Sequence, residues 1–110
     1  MIIKNFSLKE LQPTDTLRES CVEYMQGLSL LELESIGMPQ VWETPIGLLI
    51  SDGNQRSAVK TRKGQLFTAV DFVRVNQQKL VYGVDIEGLM KVAEELRKRG
   101  IYSPYDLWSV

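Results

Sequence analysis

The chain reads as a single α+β domain, a small mixed β-sheet with helices packed on it, and three stretches predict that class. Residues 48–60 pass from an apolar run through an Asp-Gly break into a basic helical pattern, which is strand, tight turn and helix in order. Residues 65–75 alternate over a long β-rich run. Ile86, Leu89, Met90, Ala93 and Leu96 form an apolar stripe at helical spacing. At 110 residues, with 44% hydrophobic and 25% charged, the chain has the size and balance of one globular domain with one core.

Taken in order, residues 1–6 predict a first strand, and Ser7 to Glu10 has capping-box spacing for a short helical turn stopped before Pro13. Thr14, Asp15 and Thr16 supply helix caps, so a helix is expected over residues 15–26, with Leu17, Cys21, Tyr24 and Met25 on its buried face and Gly27 at its end. Cys21 is expected in the core, because free cysteine is among the most buried residue types. Residues 28–39 fit a short helix or an irregular loop, and Glu32 and Glu34 within them read as a solvated acidic edge, or as a general base beside a phosphate or holders of a metal that bridges phosphates. Residues 40–50 predict a hairpin turned at Thr44-Pro45-Ile46-Gly47.

After the basic helix, Gly64 is placed to cap it. In residues 65–75, Phe67, Ala69, Asp71, Val73 and Val75 face one way and Leu66, Thr68, Val70, Phe72 and Arg74 the other, and two largely apolar faces predict a central strand. A turn at residues 76–79 and a further strand at 80–84 follow. Asp85 caps the last long helix, which ends at Arg97-Lys98-Arg99-Gly100, three cations that complement the helix dipole. Ser103-Pro104 opens another helical turn, with Tyr102, Tyr105 and Trp108 docking the tail on the body or, exposed as a cluster, serving a partner.

Composition narrows the function classes. The longest apolar stretches, such as residues 46–50, fall far short of the ~20 residues that span a bilayer, and the N-terminus lacks a signal peptide's apolar core. The expectation is a cytoplasmic protein with no membrane partner. One cysteine and no histidine exclude an internal disulfide and a Cys/His zinc site. Residues 1–55 hold three Lys/Arg against eight Asp/Glu, and residues 56–110 hold ten against six, so a net −1 conceals halves of −5 and +4. A DNA-coating protein has a strongly basic domain, so any nucleic-acid role here rests on a local patch.

The chemistry is concentrated at Asp52-Gly53-Asn54-Gln55-Arg56. A helix's first turn presents amides without intrahelical partners and roughly half a positive charge, a seat for an anion such as phosphate. Gly53 leaves the backbone open to a ligand and tolerates positive φ, while Arg56 and Lys60, one turn apart, place two cations beside the amides. The expected phosphate ligands are Gly53, Asn54, Gln55, Arg56 and Lys60. Asp52 is the candidate catalytic acid or, structurally, a cap accepting the N–H groups of residues 54 and 55.

These five residues resemble the Asp-Gly-x-x-Arg signature of the ParB/sulfiredoxin-like superfamily, whose strand, helix and strand before the signature are matched by residues 2–5, 15–26 and 40–50. The resemblance covers roughly residues 1–75. It implies a turn that holds nucleotide phosphates, in an enzyme using ATP or CTP with Mg²⁺ (a phosphotransferase or nucleotide hydrolase) or, alternatively, in a non-enzymatic module associated with DNA or another protein. Where sulfiredoxin-like relatives have Gly-Cys-His-Arg this chain has Gly53-Asn54-Gln55-Arg56, so the cysteine for sulfinic-acid chemistry is missing. Ser57 stands where CTP-switch partition proteins carry a second arginine, and the histidines of the superfamily's free-serine kinases are absent. A nuclease, also attached to the family by name, needs carboxylates such as Asp52, Asp71 and Asp85 to meet around a metal.

Overall fold

The computed structural model describes residues 2–74 and 85–109. In chain order they form β1 (Ile3–Ser7), a 3₁₀ turn (Leu8–Glu10), α1 (Glu19–Gln26), α2 (Leu30–Ser35), β2 (Gln40–Thr44), β3 (Gly47–Asp52), α3 (Asn54–Arg62), β4 (Phe67–Val73), α4 (Ile86–Lys98) and a C-terminal 3₁₀ helix (Pro104–Ser109). The result is an α+β domain with a four-stranded mixed sheet in the order β1-β4-β2-β3.

β4 is central, as its two apolar faces predict. It pairs antiparallel with β1 and parallel with β2, bringing Asp71 opposite both Ile3 and Gln40. The face carrying Thr68, Val70 and Phe72 is the buried one, whereas Phe67 is exposed. β2 and β3 form the expected hairpin, whose turn is fixed by Thr44 Oγ1 donating to the Gly47 carbonyl (2.8 Å) and accepting from the Ile46 N–H (3.2 Å). Residues 11–13 lie along the outer edge of β3, through Gln12 N–H to the Leu48 carbonyl (2.8 Å) and Ile50 N–H to the Gln12 carbonyl (2.9 Å). That covering blunts an edge otherwise open to strand addition.

One apolar cluster lies on the sheet and gathers Leu8, Leu11, Val41, Ile50, Val70 and Phe72. Two more flank α3: Val22, Leu33 and Val59 toward α1 and α2, and Ala58, Leu96, Ile101 and Leu107 toward α4 and the tail. The helix after the signature is therefore sandwiched, and six of its residues are buried: Asn54, Arg56, Ser57, Ala58, Val59 and Lys60. Residues 28–39 resolve into the helical alternative, with a complete capping box in which Ser29 Oγ accepts the Glu32 N–H and Glu32 Oε1 accepts the Ser29 N–H, each at 3.1 Å.

Three expectations are corrected. α1 begins at Glu19, because residues 14–18 are held out of the helix, against the start of α3, by side chains that take their backbone groups. The buried residue of α1 is Val22; Tyr24 is exposed and Cys21 only half-buried, so the apolar face is rotated from the one read off the spacing. In the tail, Trp108 Nε1 donates to the Ala58 carbonyl (3.0 Å) and Tyr105 Oη to the Gln65 carbonyl (3.3 Å), while Tyr102 stays exposed. Ala93 and Leu96 are the buried members of the α4 stripe, and Asp85 caps that helix by accepting the Glu87 N–H at 3.1 Å. The turn at 76–79 and the strand at 80–84 lie outside the described residues. Among the described residues, no helix is long and apolar enough to cross a membrane.

Candidate functional site

β3 ends at Asp52, Gly53 turns the chain with φ +95°, and α3 starts at Asn54, as the Asp-Gly break predicts. The first helical bond runs from Ser57 N–H to the Gly53 carbonyl (2.9 Å), which leaves the amides of residues 54–56 outside the helix ladder. They border a cleft of about 290 Å³ whose lining includes all five signature residues, together with Ser51, Asp15, Arg18, Met25 and Ile36. The structure thus brings together Asp52, Gly53, Asn54, Gln55 and Arg56.

Their side chains divide into two jobs. Asn54 Oδ1 accepts the Thr14 N–H (2.9 Å) and its amide donates to Thr14 Oγ1 (3.1 Å); Gln55 Oε1 accepts the Arg18 N–H (2.8 Å) and its Nε2 donates to the Thr16 carbonyl (2.7 Å). These two side chains are clamps that hold residues 14–18 as one wall of the cleft, so only their backbone amides remain for a ligand. Arg56 is different. Its guanidinium is buried yet held by two long contacts, Nη2 to Asp52 Oδ2 (3.3 Å) and Nη1 to the Ile36 carbonyl (3.5 Å).

Asp52 does not cap α3: the helix has no side-chain cap, and the carboxylate stands at the cleft rim, 77% exposed, paired with Arg56. Lys60 leaves the group altogether. One turn beyond Arg56 it turns inward, is 2% exposed, and donates from Nζ to Thr68 Oγ1 (3.1 Å) on β4, bordering a separate pocket of about 170 Å³ with Glu34. Burial pulls its ammonium pKa below the ordinary lysine value, Glu34 pulls it back up, and Arg56 pushes it down.

In Lys60's place the cleft gains Arg18, whose Nη2 pairs with Asp15 Oδ2 at 2.8 Å. The signal for this pair was the i, i+3 spacing of opposite charges just before α1. Asp71 accepts from Gln40 Nε2 (3.4 Å) and Asp85 sits at the α4 cap, and among the described residues no three acidic, Cys or His side chains gather where a metal could be held. The basic residues of the second half are dispersed: Arg62 stacks on Trp108 (4.2 Å), Lys63 Nζ donates to the Gln26 carbonyl (3.0 Å), and Arg97 is built into the fold through Gln12 Oε1 (2.9 Å) and the Ile46 carbonyl (2.7 Å). Compared with known proteins, the chain matches no family model, no curated protein and no solved structure.

Proposed function

We propose that this chain is a ParB/sulfiredoxin-like domain whose 52–56 turn binds a nucleotide by its phosphates. The observation that carries the reading is convergence: the unspent amides of residues 54–56, the left-handed Gly53, the Arg56 guanidinium and Arg18 border one cleft. At about 290 Å³ it sits at the lower end of small-molecule sites, roughly 300–1,000 Å³, and suits a phosphate chain better than a whole nucleotide.

Both arginines rest on aspartates, Arg56 on Asp52 and Arg18 on Asp15. Arg18–Asp15 is a surface pair, worth only about 0–1 kcal/mol, and the Arg56–Asp52 contact is long, at 3.3 Å, with its carboxylate 77% exposed. A phosphate that accepts two parallel bonds from a guanidinium exceeds that, so ligand entry exchanges one anion for another at small cost. Released from Arg56, Asp52 is a carboxylate at the edge of a bound phosphate, the position from which a base takes a proton from water or an acceptor hydroxyl. That placement supports a phosphotransferase or a nucleotide hydrolase, with Mg²⁺ carried on the phosphates, because Mg²⁺ asks the protein for only one or two carboxylates.

The test is a thermal-shift panel of ATP, ADP, CTP and GTP with and without Mg²⁺, in which a ligand at 100 times its dissociation constant adds about 2.7 kcal/mol of stability. Arg56→Ala weakens binding by roughly 1.5–3 kcal/mol, the range for a hydrogen bond to a charged group. Because Arg56 is buried, the exposed Arg18→Ala reads binding without disturbing the fold. Wild-type protein unmoved by every nucleotide refutes the reading; binding intact but turnover lost in Asp52→Asn assigns the carboxylate to catalysis.

A further inference from the structure

The second pocket has a different chemistry from the cleft. It opens between α2 and β4, with Glu34, Gly37 and Met38 on one side, Thr68 and Ala69 on the other, and Lys60 between them. Lys60 is 2% exposed, and its Nζ makes one hydrogen bond, to Thr68 Oγ1 at 3.1 Å. A lysine amine offers three donors when charged, and a buried group normally spends them. Glu34, an exposed residue, shares the pocket without forming an ion pair to Lys60, so the amine has a carboxylate neighbour and no fixed counterion. A compact amine of this kind, drawn out of water beside a cavity, is the setting in which lysine acts as a nucleophile.

We propose that this pocket captures a small carbonyl compound, an aldehyde or ketone of a few carbons, as an imine on Lys60 Nζ. The neutral amine's lone pair adds to the carbonyl carbon, and the resulting carbinolamine expels the carbonyl oxygen as water, leaving a C=N bond. Both hydrogens of that water come from the amine nitrogen, one relayed by Glu34 and the other taken up by the leaving oxygen, so no oxidant or reductant is consumed. The volume of about 170 Å³ admits a short-chain carbonyl and excludes a nucleotide, so this site is independent of the 52–56 cleft. Burial disfavours the ammonium and so favours the neutral form that the first step needs, against the pull of Glu34.

The experiment treats the folded protein with propanal and sodium cyanoborohydride at neutral pH, quenches at intervals, and maps alkylated lysines by peptide mass spectrometry. Lys9 and Lys91, both exposed, are the internal references. Lys60 is expected to be trapped at least tenfold faster than either, and the preference is expected to vanish in urea, where all three are ordinary amines. Glu34→Gln, a surface substitution, is expected to slow trapping at Lys60 several-fold while leaving Lys9 and Lys91 unchanged. Trapping at Lys60 no faster than at the references in the folded protein, or only after unfolding, overturns the proposal. An unchanged Lys60 rate in Glu34→Gln overturns the relay assigned to that carboxylate.

Discussion

Replacing Gly53 by alanine tests the geometry on which the cleft depends. Gly53 has φ +95°, and a Cβ built there meets Pro39 Cα and Cβ at 3.0 Å and Arg56 Nη2 at 3.1 Å. Two costs follow. The left-handed backbone costs an L-residue about 1–2 kcal/mol. The collision with the Pro39 backbone adds an overpacking cost of about 1–3 kcal/mol, since backbone on a closed turn yields less than a side-chain tip. Gly64 separates the two, because it has φ +83° but nothing within 4 Å of its Cβ position, so Gly64→Ala carries the backbone cost alone. For a domain of this length 1 kcal/mol corresponds to roughly 4 °C in Tm. Thermal unfolding followed by circular dichroism is then expected to show Gly64→Ala lowered by about 4–8 °C and Gly53→Ala by roughly 8–20 °C. Equal losses at the two positions refute the close approach of Pro39 to the turn.

Two further predictions concern charged groups that the fold has taken in. Arg97→Ala is expected to destabilise by about 2–4 kcal/mol in urea unfolding, because it strands the buried Gln12 Oε1 and the Ile46 carbonyl, whose bonds of 2.9 and 2.7 Å join α4 to the segment beside β3 and to the β2–β3 turn; a loss under 0.5 kcal/mol, typical of a surface cation, contradicts that role. Lys60 holds its proton less tightly folded than unfolded, so between the lowered folded pKa and the ordinary value the unfolded chain binds more protons and stability rises with pH. The stability of wild type relative to Lys60→Met, measured by urea unfolding across that alkaline window, is expected to climb with pH; a falling difference means the fold favours the ammonium.

What the sequence made legible was local. The Asp-Gly break, the capping spacing at Ser7 and the Pro45-Ile46 hairpin each place their cause within four residues of their effect, and each appears where the residue types put it. What it hid was nonlocal. Asn54 and Gln55 look like ligand amides beside a phosphate turn, but their partners Thr14, Thr16 and Arg18 lie 37 to 40 residues away. The same bonds delay α1 to Glu19 and occupy the Asn54 and Gln55 side chains, so these unseen contacts displaced a helix boundary and narrowed the part of both residues in the site to their backbone amides. Lys60 was misplaced for a related reason: spacing along α3 put it near Arg56, but whether that face meets solvent depends on β4, whose Thr68 receives the amine.

α3 itself supplies the last step. A helix packed between two apolar clusters is expected to be apolar, and replacing buried ionic groups with well-packed hydrophobic ones is often neutral or stabilising. This helix instead buries Asn54, Arg56, Ser57 and Lys60. Asn54 is explained by the fold, since both ends of its amide are engaged with Thr14. The other three are not saturated: Arg56 has contacts of 3.3 and 3.5 Å only, Lys60 has one bond, and Ser57 Oγ has no partner at all. Buried groups with hydrogen-bonding capacity in hand cost stability wherever nothing answers them. Arg56 and Lys60 border two different cavities, the first lined also by Ile36 and the second by Gly37. Arg56 and Lys60, one turn apart on α3, are thus held at a cost, unsaturated and each beside open space, and the two ligands proposed above are what would answer them.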